Sequence, residues 1–477
     1  MLFNTVDFLL FYVAVLALYY GLAPLRAWRL RKLVLLVASC LFYMSWSPPF
    51  IVLLLGIAAL CFVVALGVAG TTDPRRKRAW LALGVAMSLA ILGYFKYRGF
   101  VLENLSVLGA SLDTRLSRVI LPLGISFYTF HAISYMVDVY RGRVAPHRNF
   151  LDVALYIAFF PQLIAGPIMR ASQFLPQLER APQLIGPAAE RALMLIALGL
   201  FKKVACADVL GEYVDQVFRN VGGHHGVNLA VAIYAYAFQI YFDFSGYSDM
   251  ALGLGALLGF QLPLNFRLPY VAQNPAEFWQ RWHISLSTLL RDYLYIPLGG
   301  NRRGVGRTYA NLMTTMVLGG LWHGAAWNFV AWGTYHGALL ALHRWWAREP
   351  QRVGRWRVFW WASTARSDSR WRVLARRLGM FHLACVGWVL FRAESAADIW
   401  TCFRGLLEPG VTVTPAFTRA AYWSALAFAI HHLCAERDLG QRFLRMPPLA
   451  QAATYAAMAV LVFLFSPGTQ RFIYFQF

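Results

Sequence analysis

Two histidines, His283 and His323, stand in strongly apolar sequence where polar residues are scarce. Polar groups in such surroundings are costly and are therefore the first candidates for function. His323 lies in Gly319-Gly-Leu-Trp-His323-Gly-Ala-Ala-Trp-Asn328, inside an apolar run bounded by Arg302, Arg303 and Arg307 before it and Arg344 after it. Imidazole exchanges protons near neutral pH, and burial favours its neutral, basic form. That is the chemistry needed to take a proton from a hydroxyl as it attacks a thioester. His283 follows Trp279, Arg281 and Trp282 and precedes Ser285, Ser287 and Thr288. Alone, such a histidine is more often a satisfied core residue than a catalyst.

Two further stretches concentrate polar groups. In Tyr241-Phe-Asp-Phe-Ser-Gly-Tyr-Ser-Asp249, two acids separate apolar runs. One reading is a helix break whose carboxylates cap the next helix; the other is a pair lining a polar cavity. Gly253, Gly255 and Gly259 follow without a preceding strand, so they suit close helix packing better than nucleotide binding. The loop Gly299-Gly-Asn-Arg-Arg-Gly304 joins mobile backbone amides to two guanidiniums, a combination that can hold phosphates, or can simply mark a positive loop. His147 and Asp152 form H-x-x-x-x-D, a short pattern that arises often by chance. No nucleophile elbow, zinc-protease motif or Walker loop occurs. The cysteines (Cys40, Cys61, Cys206, Cys385, Cys402, Cys434) have no C-x-x-C spacing, which suits buried apolar residues and gives no metal site.

The elements that must position these groups are membrane helices. The chain has 477 residues, 59% hydrophobic and 14% charged, against about 25% charged in soluble domains. Its apolar runs, such as Ile51 to Ala69 and Trp80 to Tyr94, are continuous rather than alternating. Helices therefore span the bilayer, and a barrel is excluded. The net charge of +22 is carried by short loops between these runs. This fits cytoplasmic loops and anionic headgroups, not nucleic acid. If Arg26, Arg29, Arg31 and Lys32 share the cytoplasmic face with Arg75, Arg76, Lys77 and Arg78, the turn at Ser47-Pro48-Pro49 faces outward. The N-terminus is then periplasmic, and the first helix is a retained span. The reading is one all-α integral membrane domain over 1–477, with about 11–13 transmembrane and re-entrant segments. Spans are expected near 152–168, 190–205, 228–260, 308–346, 380–392, 419–434 and 448–465. The Arg344 to Arg377 stretch reads as a cytoplasmic loop.

Several ordered motifs resemble the membrane-bound O-acyltransferase family, in its bacterial polysaccharide O-acetylation branch. They are Leu121-Pro-Leu-Gly-Ile-Ser-Phe-Tyr-Thr-Phe130, Phe160-Pro-Gln-Leu-Ile-Ala-Gly-Pro167, Tyr241 to Asp249, Asn265-Phe-Arg-Leu-Pro-Tyr270, Arg281-Trp-His-Ile-Ser-Leu-Ser287, Arg291 to Arg302, Leu321-Trp-His-Gly324 and Phe472-Ile-Tyr-Phe-Gln-Phe477. The motif core runs from about position 120 to 345. The resemblance implies a ring of helices around a central tunnel, His323 as the essential histidine and His283 as its second polar position. It implies acetyl-CoA as a cytoplasmic donor substrate, held by Arg302, Arg303 and Arg281, with no permanently bound cofactor. Trp279, Trp282, Trp322, Asn328 and Asp249 would line the substrate path. The acetyl group would cross the inner membrane to a periplasmic SGNH-type Ser-His-Asp acetyltransferase and then a polysaccharide acceptor. That acceptor could be alginate, another exopolysaccharide such as cellulose, or peptidoglycan; D-alanylation of teichoic acid is a further alternative. A transporter or flippase using the same buried histidines is the competing class.

Overall fold

A computed structural model describes residues 1–25, 27–107, 120–179, 181, 186–348, 369–435 and 437–465. The terminal Phe472 to Phe477 motif and most of the expected Arg-rich loop lie outside these residues. No strand occurs among the described residues, as continuous apolar runs require. They divide into two compact units, Met1–Ile196 with Tyr247–Pro263, and Ala197–Gly246 with Leu264–Phe477.

The first unit opens with Val6–Gly21, capped where Thr5 accepts from the Phe8 amide. Trp28–Met44 follows, and then a turn at Pro48–Phe50 leads into Ile51–Ala69. Asp73 caps Pro74–Leu92, which continues through a π-helical turn, Gly93–Tyr97, into Arg98–Val107. Ile125–Tyr140 and Phe150–Ala158 form the interior of the unit, with Val153 to Phe160 wholly buried. The span expected near 152–168 is not one rod: the helix stops at Ala158, and only the single turn Phe160–Leu163 follows. Pro161 cannot donate to a continuing ladder, and at Gly166 a Cβ would press to 2.4 Å from Gln162 Cα. The His147 and Asp152 pattern is a structural ion cluster here, with Asp152 2.5 Å from Lys32 Nζ and 3.6 Å from His147 Nδ1.

Among the described residues, four helical stretches are long and apolar enough to cross a membrane: Pro48–Ala69, Pro74–Val107, Val227–Leu257 and Arg370–Arg392. Leu9, Leu10, Val13 and Leu18 of the first helix are exposed. No residue of Pro448–Leu464 is buried, and Phe463 is 84% exposed. Apolar surface on this scale belongs against lipid. The protein is a membrane protein.

In the second unit, Ala197 to Phe201 end the helix Gly186–Phe201; the π-helical turn Lys202–Asp208 and the helix Val209–Phe218 continue from it. Val227–Leu257 is a single helix of 31 residues, so the break expected between Tyr241 and Asp249 does not exist. Asp243 caps nothing. It pairs at 2.7 Å with Lys203, which also lies 2.7 Å from Asp208. A buried carboxylate is tolerated mid-helix because that ammonium meets it. The close approach of Gly246 to the Gly199 carbonyl packs the two helices beside this triad.

The rest of the second unit holds Pro275–Arg281, Ile284–Leu290 with a π-helical turn Arg291–Tyr295, the pair Val305–His323 and Trp327–Arg348, Arg370–Arg392, Ala396–Gly405 and Pro415–Leu433. Val305–His323 and Trp327–Arg348 form a tight hairpin. A Cβ on Gly320 would lie 2.1 Å from the Phe329 carbonyl, and one on Gly333 would lie 2.4 Å from the Met316 carbonyl. Only glycines let the backbones touch in this way. The hairpin turn thus fixes where His323, the last residue of its first helix, is held.

Candidate active site

His283, in the bend between Pro275–Arg281 and Ile284–Leu290, and His323, at the end of Val305–His323, meet in one aromatic core, their ring centroids 6.4 Å apart. Both are buried. Trp322 packs edge-on against both rings, at 5.8 Å from His283 and 5.0 Å from His323. Trp332 and Phe391 close on His323 at 5.1 and 5.3 Å. Phe244 lies edge-on to His283 at 4.6 Å.

His283 is held in an unusual way. Its backbone is left-handed, with φ 42, and Leu268 shares that conformation with φ 44. A branched or ring-bearing residue there is strained by about 1–3 kcal/mol, and such strain gathers at functional sites. The surroundings that impose it centre on Asn265. Its carbonyl accepts from the Ile284 amide at 2.9 Å. Its Oδ1 lies 3.1 Å from His283 Nδ1, 2.7 Å from Ser285 Oγ and 3.3 Å from the Ser285 amide. An amide N–H can only donate, so the Asn265 atom at this point is the oxygen. His283 Nδ1 therefore carries the proton, and in the neutral ring Nε2 holds the lone pair. Asn265 was legible as part of a motif, but its grip on His283 was not.

His323 faces a cavity of about 220 Å³ that runs between Ile284–Leu290 and the hairpin. Trp279 and Trp332 line it near His323, and Arg291 and Tyr295 line its other end. The π-helical turn Arg291–Tyr295 supplies the last two, a frequent role for such bulges. The imidazole therefore borders a cavity rather than being packed on all sides.

The other expected residues fall in several places. Trp282 is a core residue, stacked on Phe278 and 4.7 Å from Trp388. Asn328 donates to the Phe391 carbonyl at 3.2 Å, tying the hairpin to Arg370–Arg392. The Arg281 guanidinium is engaged within the protein, by Glu277 at 2.8 Å and the Arg267 carbonyl at 3.1 Å. Arg302 and Arg303 are exposed on the glycine-rich loop, where Gly299, Gly300 and Gly304 all have positive φ and Asn311 anchors the Gly300 carbonyl. Asp249 belongs to the first unit and is not among the residues lining this cavity. Among the described residues, no three His, Cys, Asp or Glu side chains are placed to hold a metal ion.

The chain is similar to several known proteins. The model of the membrane-bound O-acyltransferase family matches residues 144–368. The chain is 43% identical over 389 residues to the probable alginate O-acetylase AlgI of Pseudomonas putida, covering 80% of this chain and 75% of that protein. It is 40% identical to the probable alginate O-acetylase AlgI of Pseudomonas aeruginosa, over 88% of this chain and 77% of that protein. It is 35% identical to the peptidoglycan O-acetyltransferase of Helicobacter pylori, over 85% of this chain and 80% of that protein.

Proposed function

The chain belongs to the membrane-bound O-acyltransferase family and is an acyltransferase, and from that premise we propose that it passes acetyl groups from cytoplasmic acetyl-CoA across the bacterial inner membrane for O-acetylation of an exported polysaccharide. The observation that carries this reading is the placement of His323. It sits at the hairpin turn beside His283 and lines a cavity.

In the proposed step, the acceptor hydroxyl gives its proton to neutral His323 as its oxygen bonds to the thioester carbon. The C–S bond breaks, and the departing sulfur takes up a proton to leave as the free thiol. His283, with its proton fixed on Nδ1 by Asn265, offers the Nε2 lone pair to orient the acceptor hydroxyl. Arg302 and Arg303 bind the donor phosphates on the cytoplasmic face, and the N-terminus lies in the periplasm, as the Arg26 to Lys32 and Arg75 to Arg78 clusters suggest. A periplasmic Ser-His-Asp acetyltransferase completes the transfer. The alginate O-acetylase relatives favour an alginate-like acceptor. The Helicobacter relative supports peptidoglycan as the second reading.

Purified protein incubated with acetyl-labelled acetyl-CoA and acceptor tests the proposal. Consumption of the thioester with label on the acceptor is expected. A transporter would leave the thioester intact.

A further inference from the structure

His323 aside, the cavity beside it is lined by several side chains that can donate a hydrogen bond, and most of them are already committed. Ser287 donates to the Trp282 carbonyl at 3.2 Å and Thr315 to the Asn311 carbonyl at 2.7 Å. At the far end, Arg291 Nε gives to Asp292 at 2.7 Å and the Tyr295 hydroxyl gives to Asn301 Oδ1. Two side chains remain. The indole nitrogens of Trp279 and Trp332 are buried and meet no acceptor among the described residues. A buried indole N–H ordinarily finds a partner, and one without is costly. Two of them on neighbouring rings at one cavity point to a function rather than to packing.

Both indoles stand on the elements that carry the histidines. Trp332 is on the second helix of the hairpin, edge-on to His323 at 5.1 Å. Trp279 is on the helix that leads into His283, edge-on to Trp332 at 5.7 Å. His336 braces the pair, 5.2 Å from Trp279 and 4.9 Å from Trp332, with Phe278 stacked on its face. Gly387 lets the helix Arg370–Arg392 close on that brace, since a Cβ there would lie 2.7 Å from His336 Nε2. Fixed donors beside a proton acceptor are what acyl transfer needs at the carbonyl oxygen, where charge gathers as the thioester is attacked. We propose that the indole N–H groups of Trp279 and Trp332 form the oxyanion hole of this site. As the acceptor oxygen bonds to the thioester carbon, the carbonyl π pair moves onto its oxygen, to which both indoles donate. When the C–S bond breaks, that pair re-forms the double bond, and neither indole gives up its proton. The inference rests on the acyltransferase reading and adds two catalytic residues to it.

The test uses the full chain in phospholipid nanodiscs, with 3-benzothienylalanine in place of Trp279 or of Trp332. Sulfur then stands where the indole N–H was, and the ring keeps its shape. Thiol release from acetyl-CoA with acceptor present gives kcat and KM. Each replacement should lower kcat about a hundredfold and leave KM within about twofold. Binding makes the same distinction without turnover. The unsubstituted chain should hold a trifluoroacetonyl thioether of coenzyme A, tetrahedral as its hydrate, at least about a hundredfold more tightly than S-ethyl coenzyme A. Each replacement should erase most of that ratio. Wild-type kcat in both substituted proteins overturns the inference alone, and so does a raised KM with kcat unchanged. Equal affinity of the unsubstituted chain for the two thioethers also overturns it, and that measurement stands even where a substituted protein aggregates. Failure of the unsubstituted chain to consume the thioester removes the acyltransferase reading with it.

Discussion

Replacing Asn265 with alanine removes the oxygen that meets His283 Nδ1 at 3.1 Å, Ser285 Oγ at 2.7 Å and the Ser285 amide at 3.3 Å. The serine hydroxyl can rotate to another acceptor, but the imidazole N–H and the backbone N–H cannot. All three residues are buried, and each stranded donor costs about 1–3 kcal/mol. Two donors predict about 2–6 kcal/mol of lost stability. The effect on catalysis follows from the tautomer. A hydrogen bond worth about 1.4 kcal/mol holds the proton on Nδ1 roughly ten to one. Its loss takes the productive tautomer from about nine-tenths to about half, which lowers kcat about twofold, and a freed, misplaced ring adds to that, toward about a hundredfold. Asn265→Asp keeps an acceptor at the same point and should retain most of the activity. Thiol release from acetyl-CoA, measured on folded protein, gives kcat for each variant. Equal losses in the alanine and aspartate variants would refute the reasoning, because only the acceptor distinguishes them.

Other consequences are as direct. Lys203→Met leaves Asp208 and Asp243 buried without their shared ammonium, so the melting midpoint should drop by the equivalent of about 3–5 kcal/mol; neutralising both acids as well should recover part of it, and an unchanged midpoint for Lys203→Met would contradict the triad's role. Gly320→Ala forces a Cβ to 2.1 Å from the Phe329 carbonyl, so the hairpin must open and stability should fall by about 1–3 kcal/mol or more, read as lower yield of monodisperse protein. Arg302→Ala with Arg303→Ala should raise KM for acetyl-CoA roughly five- to tenfold, and barely change it for acetyl-pantetheine, which lacks the nucleotide phosphates. Equal shifts for both donors would show that the loop does not read phosphate.

What the sequence carried plainly was composition and local spacing. Continuous apolar runs exclude strands, and paired arginine clusters bracket the hairpin that holds His323. Partners distant in the chain were not legible. Asp243 read as a cap because two acids close to a glycine suggest a break; the helix continues because Lys203 reaches it from another segment. Lys203 was missed for the same reason, being one of two adjacent lysines at the end of an apolar run. Asn265 holds His283 only because the backbone turns through left-handed residues at Leu268 and His283, which no local propensity predicts. The resemblance implied a donor-holding role for Arg281, and the structure adds that a first-turn glutamate on its own helix pairs with its guanidinium.

The central claim is that His323 is the proton acceptor at the end of an accessible cavity. His323→Ala protein, confirmed in the membrane at wild-type level, should release no thiol from acetyl-CoA above the solvent rate and place no acetyl label on the polysaccharide. Label transfer at the wild-type rate would contradict the account.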